Sequence, residues 1–118
     1  MLVPTITAHT DPAHRIVSVS VSGPLFTVEH AAALLQACGG VAQWNGLLID
    51  LSGVTAISDT GVRALRDRAH ASAMTGQRLA FVCSELLLRA ELVLADLDTL
   101  APVLASSDDA LVLAAMAA

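Results

Sequence analysis

The chain has no lysine and no tyrosine, its aromatic residues amount to 3% of 118, and only 14% of its residues are charged. Each shortage excludes something. The six basic residues are all arginines (Arg15, Arg63, Arg66, Arg68, Arg78 and Arg89) and form no run, while the net charge is −5. Nucleic-acid binding needs a concentrated positive footprint and rings on which bases can stack. Here the rings are Phe26, Trp44 and Phe81, so no nucleic-acid partner is expected. An anionic membrane surface is disfavoured on the same ground. The two cysteines, Cys38 and Cys83, make neither a C-x-x-C pair nor a disulfide framework, and free thiols fit a reducing, cytoplasmic setting. A spanning helix needs about 20 apolar residues in succession. Residues 46–54 are interrupted by Asp50, residues 79–88 by Glu85, and residues 111–118 are too few, so no membrane insertion is expected. Nothing after Met1 reads as a secretory leader with a cleavage site.

The chemical motifs are equally sparse. His9, His14, His30 and His70 are scattered without ligand spacing, and each reads as an exposed or loop histidine. There is no phosphate-cradling loop, no G-x-G-x-x-G and no G-x-S-x-G. Cys83 falls in an apolar run and reads as a small core residue rather than a nucleophile. No catalytic residue, metal or cofactor is expected, and the chain reads as a non-enzyme.

What the chain does have is apolar surface to bury. Hydrophobic residues make up 55%, mostly alanine, leucine and valine. This excludes intrinsic disorder, and the length fits one domain over residues 1–118. Residues 3–8 read as a strand. Residues 15–22 alternate Val17, Val19 and Val21 with Ser18, Ser20 and Ser22, the period of a half-buried strand; Gly23-Pro24 is expected to end it. Thr27 reads as the cap of a helix to Cys38, with Val28, Ala31, Leu34, Leu35 and Cys38 inward. Residues 47–51 read as a strand buried on both faces, followed by a loop of small residues. Ser58-Asp59-Thr60 supply cap chemistry for a second helix to Thr75, with Val62, Leu65, Ala69 and Ala73 inward and Gly76 as its stop. Residues 78–83 read as a strand, and Ser84-Glu85 open a third helix with Leu87, Ala90 and Leu94 inward. A short strand over residues 100–105, weakened by Pro102, and a last helix over residues 110–117 complete the order. Strands alternating with helices after an opening antiparallel pair imply an α/β fold: a mixed β-sheet with about four helices packed against it.

The densest signal is Asp50-Leu51-Ser52-Gly53-Val54-Thr55-Ala56-Ile57-Ser58-Asp59-Thr60-Gly61-Val62-Arg63-Ala64-Leu65. A buried strand leads onto a helix N-terminus, whose free N–H groups and partial positive charge favour an anion. This string, the element order, Gly23, Gly76 and the Ser107-Asp108-Asp109-Ala110 opening of the last helix resemble the STAS domain over roughly residues 5–116. That domain occurs in anti-sigma-factor antagonists and sulphate transporters. The family's loop usually reads D-S-[ST]-G, and its first serine is phosphorylated by an anti-sigma-factor kinase. Aligned on Gly61, Ser58 stands where the family has Asp, and Asp59 stands where it has the phosphorylatable serine.

The resemblance implies a partner-switching regulator that binds an anti-sigma factor, a kinase-like ATPase, with Ser58, Asp59, Thr60 and Gly61 as its switch loop. By the same resemblance Arg63 and Arg66 on the following helix, and Gly23, Leu25 and Phe26 on the other contact edge, are partner-binding residues. The family often carries an acid in a G-x-L-D-like string there; this chain reads Gly23-Pro24-Leu25-Phe26, so the acid is missing and Phe26 would offer an apolar contact in its place. Phosphorylation adds about −1.5 to −2 charge, of which Asp59 already supplies −1. Three alternatives stay open: Asp59 as a fixed substitute for the phosphate, Ser58 or Thr60 as the acceptor, or no phosphorylation. A second reading is a STAS subunit of a membrane transporter or a stressosome-like scaffold, and a homodimer is compatible with either. Asp59-Thr60-Gly61 also spells the D-T-G of aspartic proteases, but those are nearly all-β and here a strong helix former follows. Phe26, Leu86, Leu88 and Val93 have no obvious place in the core; exposed, they would mark a protein interface.

Overall fold

The valine–serine alternation does form a strand, and it runs further than expected. The computed structural model describes residues 4–11, 15–39 and 46–105. Within them the sheet is built from β1 (Thr5–Asp11), β2 (Ile16–Leu25), β3 (Gly46–Ile57), β4 (Arg78–Val82) and β5 (Val103–Leu104). The helices are α1 (Val28–Gly39), α2 (Asp59–Thr75) and α3 (Leu86–Leu94), with a 3-10 turn at Leu97–Thr99. Among the described residues there are therefore three α-helices rather than about four. The expected helix over residues 110–117, Trp44 and His14 lie outside the described residues.

The strands lie in chain order, β1-β2-β3-β4-β5. The β1–β2 pair is antiparallel and every later pair is parallel, so the sheet is mixed, as the alternation of strands and helices implied. Val17, Val19 and Val21 of β2, Leu47, Ile49 and Leu51 of β3 and Phe81 of β4 form one core with Leu34 and Cys38 of α1, Leu65 and Ala69 of α2, and Leu88 and Leu92 of α3. Ile16, Leu48, Ala80 and Val82 form a second, smaller cluster. Successive strand residues point to opposite faces, so β3 is buried on both sides, as its apolar run predicts.

Four expectations need correction. Gly23-Pro24 does not end β2; the strand passes through a register shift there to Leu25. Gly23 adopts φ 100°, a conformation open to glycine, and the resulting bulge absorbs the proline. Second, Ser52 to Ile57 is strand, not loop, because it pairs with β2 as far as Leu25. Gly53 belongs there for closeness: a Cβ would run into the side chain of Ser22. Third, α3 buries Leu88 and Leu92 and exposes Leu87, Ala90 and Leu94, the reverse of the predicted face. Fourth, the stripes of α1 and α2 are narrower than expected, since Val28 and Ala73 are exposed.

Candidate functional site

Two chain crossings meet at the end of β3, and both are held by caps. Ser58 has extended backbone (φ −104°, ψ 175°) and caps α2. Its Oγ accepts from the Gly61 N–H at 3.4 Å and donates to the Phe26 carbonyl at 2.7 Å. Its own N–H donates to the Leu25 carbonyl at 3.2 Å. One small residue thus satisfies the first turn of α2 and ties it to the β2–α1 connection. On the other side Thr27 caps α1, its Oγ1 accepting from the His30 N–H at 3.1 Å. The His30 Nδ1 reaches back and accepts from the N–H groups of Phe26 and Thr27 at 3.1 and 3.3 Å. This is the reciprocal arrangement of a capping box, with histidine in the place that glutamate or glutamine usually takes. His30 is accordingly buried, against the expectation of an exposed residue.

These caps decide which of the expected site residues reach the surface. Asp59 is exposed in the first turn of α2 and Thr60 is half-buried. An acid there is favoured by the helix N-terminus. Phe26 is 47% exposed, and Arg63 is exposed one turn on. Leu25 is fully buried, so it offers no side chain to a partner; it is a core residue whose carbonyl receives Ser58. Gly61 is buried as well. A Cβ there would run into the Leu25 carbonyl oxygen and come within 2.8 Å of Ile57, so Gly61 lets α2 lie close on β2. Gly23 is half-buried within the bulge. Arg66 is already engaged: its guanidinium donates to the Ala95 carbonyl at 2.6 Å and ties α2 to the end of α3. The exposed surface of the expected site is therefore Phe26, Asp59 and Arg63. The helix that starts at Asp59 also removes the aspartic-protease reading of Asp59-Thr60-Gly61.

The sequence does not announce a groove beside this loop. Phe26, residues 52–57 of β3, and Glu85, Leu87, Leu88 and Glu91 at the start of α3 enclose an open space of about 590 Å³. Leu87 is 74% exposed. The signal that could have revealed it is the surplus of leucine in Leu86–Leu94, more than a nine-residue helix can bury on one face.

The thiols take no part in the site. Burial pushes the Cys38 thiol up to about 11, a shift that the Arg68 cation partly opposes. Cys83 is raised by burial too, while its Sγ–H donates to the Glu85 carbonyl. Both are poor nucleophiles near neutrality, since the thiolate is the reactive form. Among the described residues no group of three or more His, Cys, Asp or Glu is placed to hold a metal, and no helix is long and apolar enough to cross a membrane.

Residues 6–110 match the STAS domain family. The crystal structure of an anti-sigma factor antagonist from Mycobacterium paratuberculosis is similar, with a TM-score of 0.82 at 27% identity over 94% of this chain and 93% of that one. The anti-sigma factor antagonist SpoIIAA in its unphosphorylated form gives 0.68 at 10% identity, over 91% of this chain and 94% of that one. A Thermotoga maritima protein gives 0.78 at 16% identity, over 90% and 91%. At such identities the last two likenesses concern the fold alone. No curated protein matches the chain.

Proposed function

The chain belongs to the STAS domain family, and from that premise we propose that it is a non-enzymatic, cytosolic regulator that binds an anti-sigma factor through residues 58–66. Asp59 acts as the fixed charge of the switch. The observation that carries this reading is the exposure of Asp59 at the N-terminus of α2 while Ser58 is spent on the cap. A phosphate on Ser58 would break its bond to the Phe26 carbonyl and bring about −2 charge next to Asp59. Asp59 provides a negative charge on the same turn with no such disruption. Phe26 and Arg63 border it and offer one apolar and one cationic contact. Each partner interaction here is of the kind that switches by charge, not by chemistry on a bound substrate.

The exposed leucines of α3, Leu86 at 66%, Leu87 at 74% and Leu94 at 83%, favour one second reading: a STAS subunit held permanently in a transporter or scaffold. Two measurements decide. Purification from native cells returns a small kinase-like ATPase under the first reading, and a transporter ATPase or large oligomer under the second. Incubation of the pure protein with that kinase and ATP leaves the intact mass unchanged. A gain of about 80 Da mapped to Ser58 or Thr60 contradicts the assignment of Asp59 as a fixed charge.

A further inference from the structure

Strand β3 is paired on both sides along its first half only. Gly46 to Asp50 pair with β4, and this ladder ends at Asp50 opposite Val82. Pairing with β2 continues to Ile57. Among the described residues, no strand neighbours β3 on its β4 side from residue 52 to residue 57. In a parallel ladder alternate residues turn their N–H and C=O toward the same neighbour, so about three of these six residues aim main-chain groups at the open side. That side is the groove described above. Its inner end is closed where the Ser84 N–H donates to Ser52 Oγ at 3.4 Å.

The walls of the groove state what it accepts. Phe26 and Leu87 supply exposed apolar surface, Glu85 and Glu91 supply negative charge, and among the described residues no basic side chain lines it. An open strand edge is a template for another strand. A second copy of the chain is a poor occupant, because it brings a net charge of −5 and the same two glutamates.

We infer that this groove binds an extended segment of a partner protein as an added strand on β3, with basic and apolar side chains facing α3. Main-chain hydrogen bonds to residues 52–57 supply the affinity, and the pockets for alternate side chains supply the choice of sequence, as in other strand additions. Leu87 and Phe26 receive the apolar side chain. Glu85 and Glu91 receive its basic neighbours. Of the exposed site residues Phe26, Asp59 and Arg63, the groove shares only Phe26, so this assignment holds or fails separately from the role of Asp59.

The test uses the full chain labelled for amide NMR and a blocked heptapeptide in which threonine alternates with arginine, isoleucine and arginine. The expected result is saturable binding with a Kd under about 1 mM, with shifts confined to Phe26, residues 52–57 and the facing turn of α3, and slowed amide exchange confined to residues 52–57. Methylating the peptide's amides along one edge keeps its charge and removes its donors; it should weaken binding at least about tenfold. The Glu85→Gln/Glu91→Gln double variant keeps an acceptor for the Leu87 N–H and should weaken binding to a similar degree. Four outcomes overturn the assignment: no binding, shifts that map elsewhere, equal binding of the methylated peptide, or self-association that Leu87→Asp abolishes.

Discussion

Single residues at the end of β3 act through their hydrogen bonds and their bulk rather than through reactivity. Ser58 serves four bonds at once, its carbonyl also accepting from the Val62 N–H, and Leu25 gives its carbonyl rather than its side chain. Cys38 shows the opposite case, a titratable group that the fold keeps neutral. Its raised value means the folded state holds the thiol proton after the unfolded chain, with its ordinary value of 9.0, has released it. The unfolded state then binds fewer protons, so stability falls as pH rises from about 9 to about 11. The loss is on the order of 2–3 kcal/mol by the upper end. Lysine and tyrosine titrate in this window, and the chain has neither, so the alkaline limb of a urea-denaturation series reports the thiols alone. Cys83 contributes in the same direction. Cys38→Val should flatten most of that limb; an unchanged slope contradicts the burial argument.

At the scale of elements, α2 is positioned by what its first turn lacks. Alanine normally favours a helix over glycine by about 1 kcal/mol. At Gly61 the added Cβ meets the Leu25 carbonyl and Ile57, so Gly61→Ala should reverse that sign and destabilise the protein by about 1–3 kcal/mol. Equilibrium urea unfolding measures it, and a gain in stability would show that α2 does not rest on β2 at this point. The α2 caps were legible in the sequence because Ser58 and Gly76 are the residues that caps use, and both stand at the ends of the helix. The face of α3 was not legible. Leucine, valine and alanine fill seven of its nine positions, so any phase of the helical period looks acceptable and tertiary packing alone selects Leu88 and Leu92. The second half of β3 was hidden for another reason. Ser52, Gly53 and Thr55 are exposed and carry the composition of a loop, while pairing with β2 on one side makes them strand. The Thr27–His30 box was half legible: threonine is a common cap, but histidine is not the usual partner.

For the whole molecule, the lack of lysine and aromatics and the excess of small apolar residues resolve into one sheet with its helices, plus a surplus of exposed apolar side chains. Part of that surplus, Phe26 and Leu87, lines the groove beside the loop that carries Asp59, so on the proposed reading charge and apolar surface lie together. The family resemblance of the central string and the order of elements were open to a sequence reading, and the match over residues 6–110 agrees with both. Which of the expected contact residues are buried was not, because Leu25, Gly61 and Arg66 are defined by close approaches between segments distant in the chain. The central claim is that Asp59 stands in for a phosphate and weakens the hold on a kinase-like anti-sigma factor. Titration calorimetry of that partner with the wild type, Asp59→Ala and Asp59→Ser tests it most directly. Both variants should bind more tightly, Asp59→Ala by about tenfold or more, a difference of roughly 1.4 kcal/mol. Equal affinity across the three proteins would remove Asp59 from the mechanism.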